Sequence, residues 1–260
     1  MTQSSWKNFV KTKNVFLKYT EELSLSLPNL RSIQQKFADS RSEASYTVET
    51  PVVYNSALDK ISINDEIKLI LVADNPGRRE QAAENRRYLV GPSGKIADKF
   101  FRETPSLGID FYKNVIILNK TPIHSPRTIE LRELCRIENN KKIPHKGDKG
   151  DQIESIQKAL NESQVVMASL LNDFYKALNC PVWITGYSEM KKGGIFEIYT
   201  EELKKLCTKN IEFNNNLFLY RHFSMNQFTI DLKKQALQGE TASKTLKRIG
   251  KAYREKFLKN

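Results

Sequence analysis

Four short apolar runs constrain this chain more than any other feature. Lys68-Leu69-Ile70-Leu71-Val72-Ala73, Val115-Ile116-Ile117-Leu118, Val182-Trp183-Ile184-Thr185 and Leu217-Phe218-Leu219-Tyr220 are nearly continuous in aliphatic and aromatic residues. A strand with one wet face alternates polar with apolar side chains. An unbroken apolar run needs cover on both faces, which parallel sheets obtain from their crossover helices. The stretches between the runs carry helical periodicity: Gly94 to Phe101, residues 152 to 178 with Ile156, Leu160, Leu170 and Leu171 on or near an inner face, and Phe196 to Cys207. Strand–helix alternation of this kind predicts an α/β fold: a four-stranded parallel sheet with right-handed crossovers, sandwiched as α/β/α. Two further helices precede it. Residues 4 to 24 place Phe9, Val10, Phe16, Leu17 and Leu23 among Lys and Glu, and Pro28 opens a second helix from Asn29 to Ala38. An extended segment, Ala44 to Ile63, then leads into the first strand. The polar, Lys-rich connection at roughly 136 to 151, which contains His145-Lys146-Gly147-Asp148-Lys149-Gly150, is expected to be a mobile surface loop and not a ligand cluster.

A chain of 260 residues suits one sizeable domain that needs no staple. The single-domain expectation covers residues 1–260, with an N-terminal extension over 1–60 and a basic terminal helix over 240–260. The N-terminus shows no secretory pattern and no apolar stretch is long enough to span a bilayer, so the expected address is the cytoplasm and no membrane partner is expected. Cys135, Cys180 and Cys207 are dispersed, which argues for reduced thiols in or near the core and against a disulfide framework, a zinc site or an iron–sulfur site. No metal and no cofactor are expected, and a monomer is the expected state. The formal charge is +12. A basic surface concentrates polyanions and releases counterions on docking to phosphates, so nucleic acid is the expected partner class. Lys244, Lys247, Arg248, Lys251, Arg254, Lys256 and Lys259 recur along the terminal helix, either as part of that surface or as a solubilising face.

Open parallel sheets bind ligands outside the carboxyl ends of their strands. Three strands end in polar, hydrogen-bonding sequence: Asp74-Asn75-Pro76-Gly77, Asn119-Lys120-Thr121-Pro122 and Arg221-His222-Phe223-Ser224. Taken singly, each has a bland explanation. Asn75-Pro76-Gly77 is an ordinary turn, Asn119 could cap a helix, and a lone His222 is commonly structural. Gly91-Pro92-Ser93-Gly94-Lys95 looks superficially like a phosphate-binding loop, but Leu89 and Ile96 stand where that motif needs Gly and Ser/Thr.

Taken in order, these segments resemble the uracil-DNA glycosylase superfamily. Ala73-Asp74-Asn75-Pro76-Gly77 is similar to its first catalytic motif. Glu80 and Tyr88-Leu89-Val90-Gly91-Pro92-Ser93-Gly94 resemble its thermophilic branch. Val52-Val53-Tyr54-Asn55 resembles the single-strand-selective monofunctional branch, and Arg221-His222-Phe223-Ser224 sits where the family carries His-Pro-Ser. The resemblance spans roughly residues 50 to 230. It implies a glycosylase that extrudes uracil or a related deaminated base from DNA and hydrolyses its N-glycosidic bond in base-excision repair. That chemistry develops an oxocarbenium-like sugar and an anionic base, so it needs a positioned water and donors aimed at the leaving base. By resemblance, Asp74 or Asn75 holds the water, His222 donates to the base oxygen, and Asn119 reads the base edge with one donor and one acceptor. Pro76 and Gly77 shape the pocket, with Tyr88 or Leu89 as its stacking platform. Ser93, Lys120 and Ser224 contact phosphates, and Met225 is an apolar wedge for the vacated stack. The departures are Ala73 for Gly, Leu89 for the stacking Phe, the absence of the cluster-binding cysteines, and Phe223 for Pro, which predicts a looser histidine loop. These departures keep two alternatives open: a catalytically degenerate nucleic-acid-binding member of the same fold, and an enzyme acting on a small nucleobase compound.

Overall fold

A computed structural model of the chain describes residues 1–40, 45–140 and 155–258. At its centre lies an all-parallel sheet of β1 (Leu69–Ala73), β2 (Val115–Asn119), β3 (Val182–Thr185) and β4 (Leu217–Tyr220), in the order β2-β1-β3-β4. Every strand residue is buried, as the unbroken apolar runs require. The register pairs Ala73 with Asn119 and Thr185 with Tyr220. All four strands therefore end at one edge of the sheet. The chain winds outward from β1 to β2, then crosses back to β3 and β4, so the winding reverses between β1 and β3. Ligands of open α/β sheets collect at such a reversal.

The described helices are α1 (Gln3–Ser26), α2 (Leu30–Asp39), α3 (Pro92–Glu103), α4 (Ile129–Asn140), α5 (Ser155–Leu178), α6 (Glu197–Lys209), α7 (Ile211–Asn216), α8 (Gln227–Gln235) and α9 (Ala242–Leu258). They make the three-layer α/β/α fold read from the strand–helix alternation. On one side α5 packs with α1 and α6, and Phe9 of α1 meets Phe174 of α5 at 5.5 Å between ring centres. On the other, Trp183 of β3 stacks on Phe101 of α3 and on Phe228 of α8, at 5.7 and 6.0 Å. There α9 lies flat on β4. A Cβ on Gly250 would sit 2.6 Å from the Tyr220 hydroxyl and 2.7 Å from Phe218 Cβ, and the same hydroxyl donates to the Leu246 carbonyl at 2.9 Å.

Two elements depart from expectation. Helix α4 includes residues 136–140, which were expected to be loop; its start is marked by the buried stripe Leu131, Leu134 and Cys135 at helical spacing. The remainder of that expected loop, with His145, falls outside the described residues. The terminal helix is also less free a basic face than its composition implies. Arg248 pairs with Glu240 at 2.7 Å, and Arg254 is buried and donates to the Asn214 and Leu217 carbonyls. Lys244, Lys247, Lys251 and Lys256 remain exposed, while Lys259 falls outside the described residues. No helix among the described residues is long and apolar enough to cross a membrane. Cys135 and Cys180 are buried, Cys207 is half-buried, and no disulfide joins the three.

Candidate functional site

The reversal between β1 and β3 is filled by a buried ion pair. Asp74, the first residue past β1, bonds Lys120, the first past β2. The Lys120 ammonium also donates to the Thr185 carbonyl at 2.6 Å and lies 5.0 Å from the centre of the Phe196 ring. The other oxygen of Asp74 accepts from the Thr128 hydroxyl at 3.1 Å. Gly186, with φ +77°, lets the chain turn under the pair, because a Cβ there would sit 2.5 Å from the Asp74 carboxylate. Burial pulls the Lys120 ammonium below its ordinary value, with Asp74 opposing the shift. This overturns the expectation of a phosphate contact at Lys120: its side chain is wholly enclosed and its protons are committed inside the fold. Asp74, expected as a possible water holder, accepts one hydrogen bond from within the fold at each carboxylate oxygen.

Asn75 is placed differently. Its Nδ2 donates to the Ser125 carbonyl at 2.9 Å and to the Ser125 hydroxyl at 3.0 Å, which fixes the amide and leaves Oδ1 as its available acceptor. The Pro76-Gly77 turn is held from both sides. The Pro76 carbonyl accepts from Ser125 N at 3.1 Å and from the His124 ring at 2.8 Å. Gly77 N donates to the Glu80 carboxylate at 2.9 Å, and the other oxygen of Glu80 accepts from Leu89 N at 2.8 Å. One buried carboxylate thus ties the first motif loop to the second. Burial pushes the Glu80 carboxyl up to about 7, against the two backbone donors, which favour its ionised form. Leu89 sits at φ +53°, a costly conformation for a residue with a Cβ, and a Cβ on Gly94 would collide with its carbonyl. The glycine of the Val-Gly-x-x-Gly stretch is required because α3 begins directly against this loop. Tyr88, the alternative platform, is fully enclosed; its hydroxyl donates to the Val53 carbonyl at 2.6 Å and its N–H to Asn55 Oδ1 at 3.3 Å. It is a core residue joining the Tyr54-Asn55 segment to the loop, and it offers no open face.

Asn119 ends β2 with 1% of its surface exposed, and neither its Oδ1 nor its Nδ2 finds a partner. Leaving a donor and an acceptor buried and unpaired costs about 1–3 kcal/mol each, so native structures rarely do it without reason. Across the edge of the sheet, His222 follows β4. Three strand spacings of about 4.8 Å separate the two strands, and the charges of Asp74 and Lys120 act on the His222 ring in opposite directions. Its Nδ1 accepts from Ser224 N at 3.0 Å and faces the Ser224 hydroxyl at 2.8 Å. In the neutral ring the proton must then reside on Nε2. Burial lowers the pKa of His222, so the neutral form prevails at pH 7. Ser224, expected at a phosphate, is thereby occupied in orienting the imidazole.

The histidine loop is anchored, contrary to the expectation drawn from Phe223. That residue is fully buried and stacks on Phe228 at 4.3 Å, within an aromatic cluster that includes Phe100. An apolar anchor replaces the rigidity that proline supplies elsewhere. Beyond it, Met225 and Asn226 both adopt positive φ, and Met225 is 77% exposed at the tip. Ser93 lies half-exposed in the first turn of α3, where helix N–H groups point outward.

The structure therefore gathers Asp74, Asn75, Asn119 and His222 at one edge of the sheet, encloses Lys120 and Tyr88 in the fold, and leaves Met225 and Ser93 at the surface. Sequence reasoning missed Thr128, Gly186 and His124. Gly186 directly follows a strand and carried a signal; Thr128 and His124 carried none. Among the described residues no group of three or more His, Cys, Asp or Glu side chains is placed to hold a metal ion. No protein-family model matches the chain, and no curated protein matches it.

Proposed function

We propose that this protein is a DNA glycosylase of the uracil-DNA glycosylase superfamily, hydrolysing the bond between deoxyribose and uracil or a related deaminated base without metal or cofactor. The single observation that carries this reading is the orphaned Asn119 amide. A pyrimidine edge presents adjacent donor and acceptor atoms, and an enclosed carboxamide with both groups unpaired is complementary to it. Two further features support the same chemistry. The neutral His222 keeps its one proton on Nε2, available to the base oxygen on which charge accumulates as the glycosidic bond breaks. Asn75 keeps Oδ1 to hold the attacking water. In this step the water oxygen bonds C1′, the electron pair of the C1′–N bond departs with the base, and the proton that the water sheds ends on the released base through solvent. Met225 then fills the vacated stack, Ser93 meets a phosphate at the head of α3, and the partner is DNA in the cytoplasm.

The test is direct. Strands containing uracil, hypoxanthine or a mismatch, single or paired, are incubated with the protein and probed for alkali-labile sites. Cleavage by the native protein and its loss in Asn119→Leu support the proposal; no cleavage of any strand by folded protein sinks it. A second reading, a nucleic-acid-binding member without turnover, is favoured by the ion pair that ties Asp74 to Lys120 as part of the scaffold. It expects salt-sensitive DNA binding that survives Asn75→Ala, with no base released.

A further inference from the structure

A polar hollow of about 680 Å³ opens beside the Pro-Gly turn, between the extended segment at Tyr46–Glu49 and the loop from Arg78 to Asn85, with Val90 of the second motif loop on its wall. Its walls are fixed. The amide of Gln81 spends all its bonding capacity as a staple: Oε1 accepts from Glu49 N at 2.6 Å and Thr50 N at 3.2 Å, and Nε2 donates to the Thr47 and Arg78 carbonyls at 3.0 and 3.2 Å. The Tyr46 hydroxyl meets His124 Nε2 at 2.9 Å, with the imidazole edge-on to the phenol ring. Because His124 Nδ1 faces the Pro76 carbonyl, an acceptor only, Nδ1 carries the proton and Nε2 accepts from the tyrosine. Tyr46 is thus tied through one buried ring to the turn that shapes the candidate base site.

On this fixed ring lies Arg78, its guanidinium carbon 4.8 Å from the ring centre, exposed on its outer side and bonded by Nη2 to the Ser45 carbonyl at 3.4 Å. A guanidinium placed over an aromatic ring is a planar cation whose outer face can stack on a nucleobase. Arg79, next in the chain and exposed, pairs with no carboxylate among the described residues. Of the two carboxylates lining the hollow, Glu49 is held by Ala83 N, and Glu84 lies 3.4 Å from the Asn85 amide.

We propose that this hollow is a second nucleotide site, which takes a planar base against Arg78 and a phosphate at Arg79. It rests on the nucleic-acid reading above and deepens it. A nucleotide so held is either the neighbour of the extruded one in the same strand or a free nucleotide, and the hollow's shared wall with both motif loops favours the neighbour.

The experiment measures anisotropy of a fluorescein-labelled single-stranded 15-mer with a central uracil, across a salt series, with and without free thymidine monophosphate. Native protein is compared with Arg78→Ala/Arg79→Ala and with Arg78→Lys, which keeps charge but loses the plane. The double alanine variant is expected to bind the strand about 10-fold more weakly with a shallower salt dependence, and the lysine variant about 3-fold more weakly, at an unchanged melting temperature. Failure of the free nucleotide to compete identifies the strand neighbour as occupant. Competition that disappears in the double variant supports the site with a free nucleotide as its ligand. Unaltered strand binding and cleavage in the double variant overturns the second site and leaves the glycosylase reading standing. Absence of binding to either probe by native protein overturns both.

Discussion

Asn119 and Lys120 are neighbours at the end of β2, equally buried, and opposite in their bonding. The Lys120 ammonium is matched by a carboxylate, a carbonyl and a ring face; the Asn119 amide is matched by nothing. Polar groups at the core of a fold are normally satisfied, since an unpaired one is paid for by the rest of the structure. The difference separates scaffold from site. Lys120 joins β1, β2 and β3 into one rigid edge, and Asn119 keeps both amide atoms unspent at that edge, the place where the proposed function sets a base.

The sharpest way to break this comparison is to remove the lysine. Lys120→Met leaves the Asp74 carboxylate buried and unpaired, and we expect a loss of about 3–5 kcal/mol in denaturant unfolding. Asp74→Asn combined with Lys120→Met should recover much of it. A loss under 1 kcal/mol in the single variant would show that the pair is not the scaffold described here. Next in size is the Glu80 clamp. Glu80→Ala strands the N–H groups of Gly77 and Leu89, and about 2–4 kcal/mol should be lost.

The pH dependence has a definite sign. The folded-state value of Glu80 is raised to about 7 from an ordinary 4.5, so its contribution is complete below 4.5 and is lost as pH climbs through 7. His124 is pushed down to about 4 from 6.5, chiefly by burial, and His222 is lowered too; their contributions are complete above 6.5 and are lost as pH falls. Between pH 4.5 and 6.5 the two trends oppose each other. Glu80→Gln removes one, so its stability, followed by thermal melts, should climb more steeply with pH than that of the native protein. The smallest effect runs against intuition. Asn119→Leu, close in shape, removes two unsatisfied groups and should raise stability by about 1–2 kcal/mol while abolishing base release.

Much of the fold was legible because its information is local. Continuous apolar runs fix a doubly covered sheet, and all four strands lie within one residue of where those runs end. The α4 start was missed because a lysine-rich stretch next to it obscured a three-residue apolar stripe. At the candidate site, position along the chain was legible and commitment was not. Nothing in Asn119-Lys120 tells which side chain will be satisfied, since that depends on Asp74, Thr185 and Phe196 arriving from three other elements. Likewise Phe223 looked like a loosening substitution. The aromatic partners that anchor it, Phe100 and Phe228, come from α3 and α8, and only packing brings them together.

The measurement that bears most directly on the role of Asn119 is a titration of ¹⁵N-labelled protein with free uracil, followed at the side-chain amide signal that vanishes in Asn119→Leu. A saturable shift of that signal, with the Lys120 environment unmoved, is the expected result. An amide signal that stays fixed at millimolar uracil would contradict the assignment of Asn119 as the reader of a pyrimidine edge.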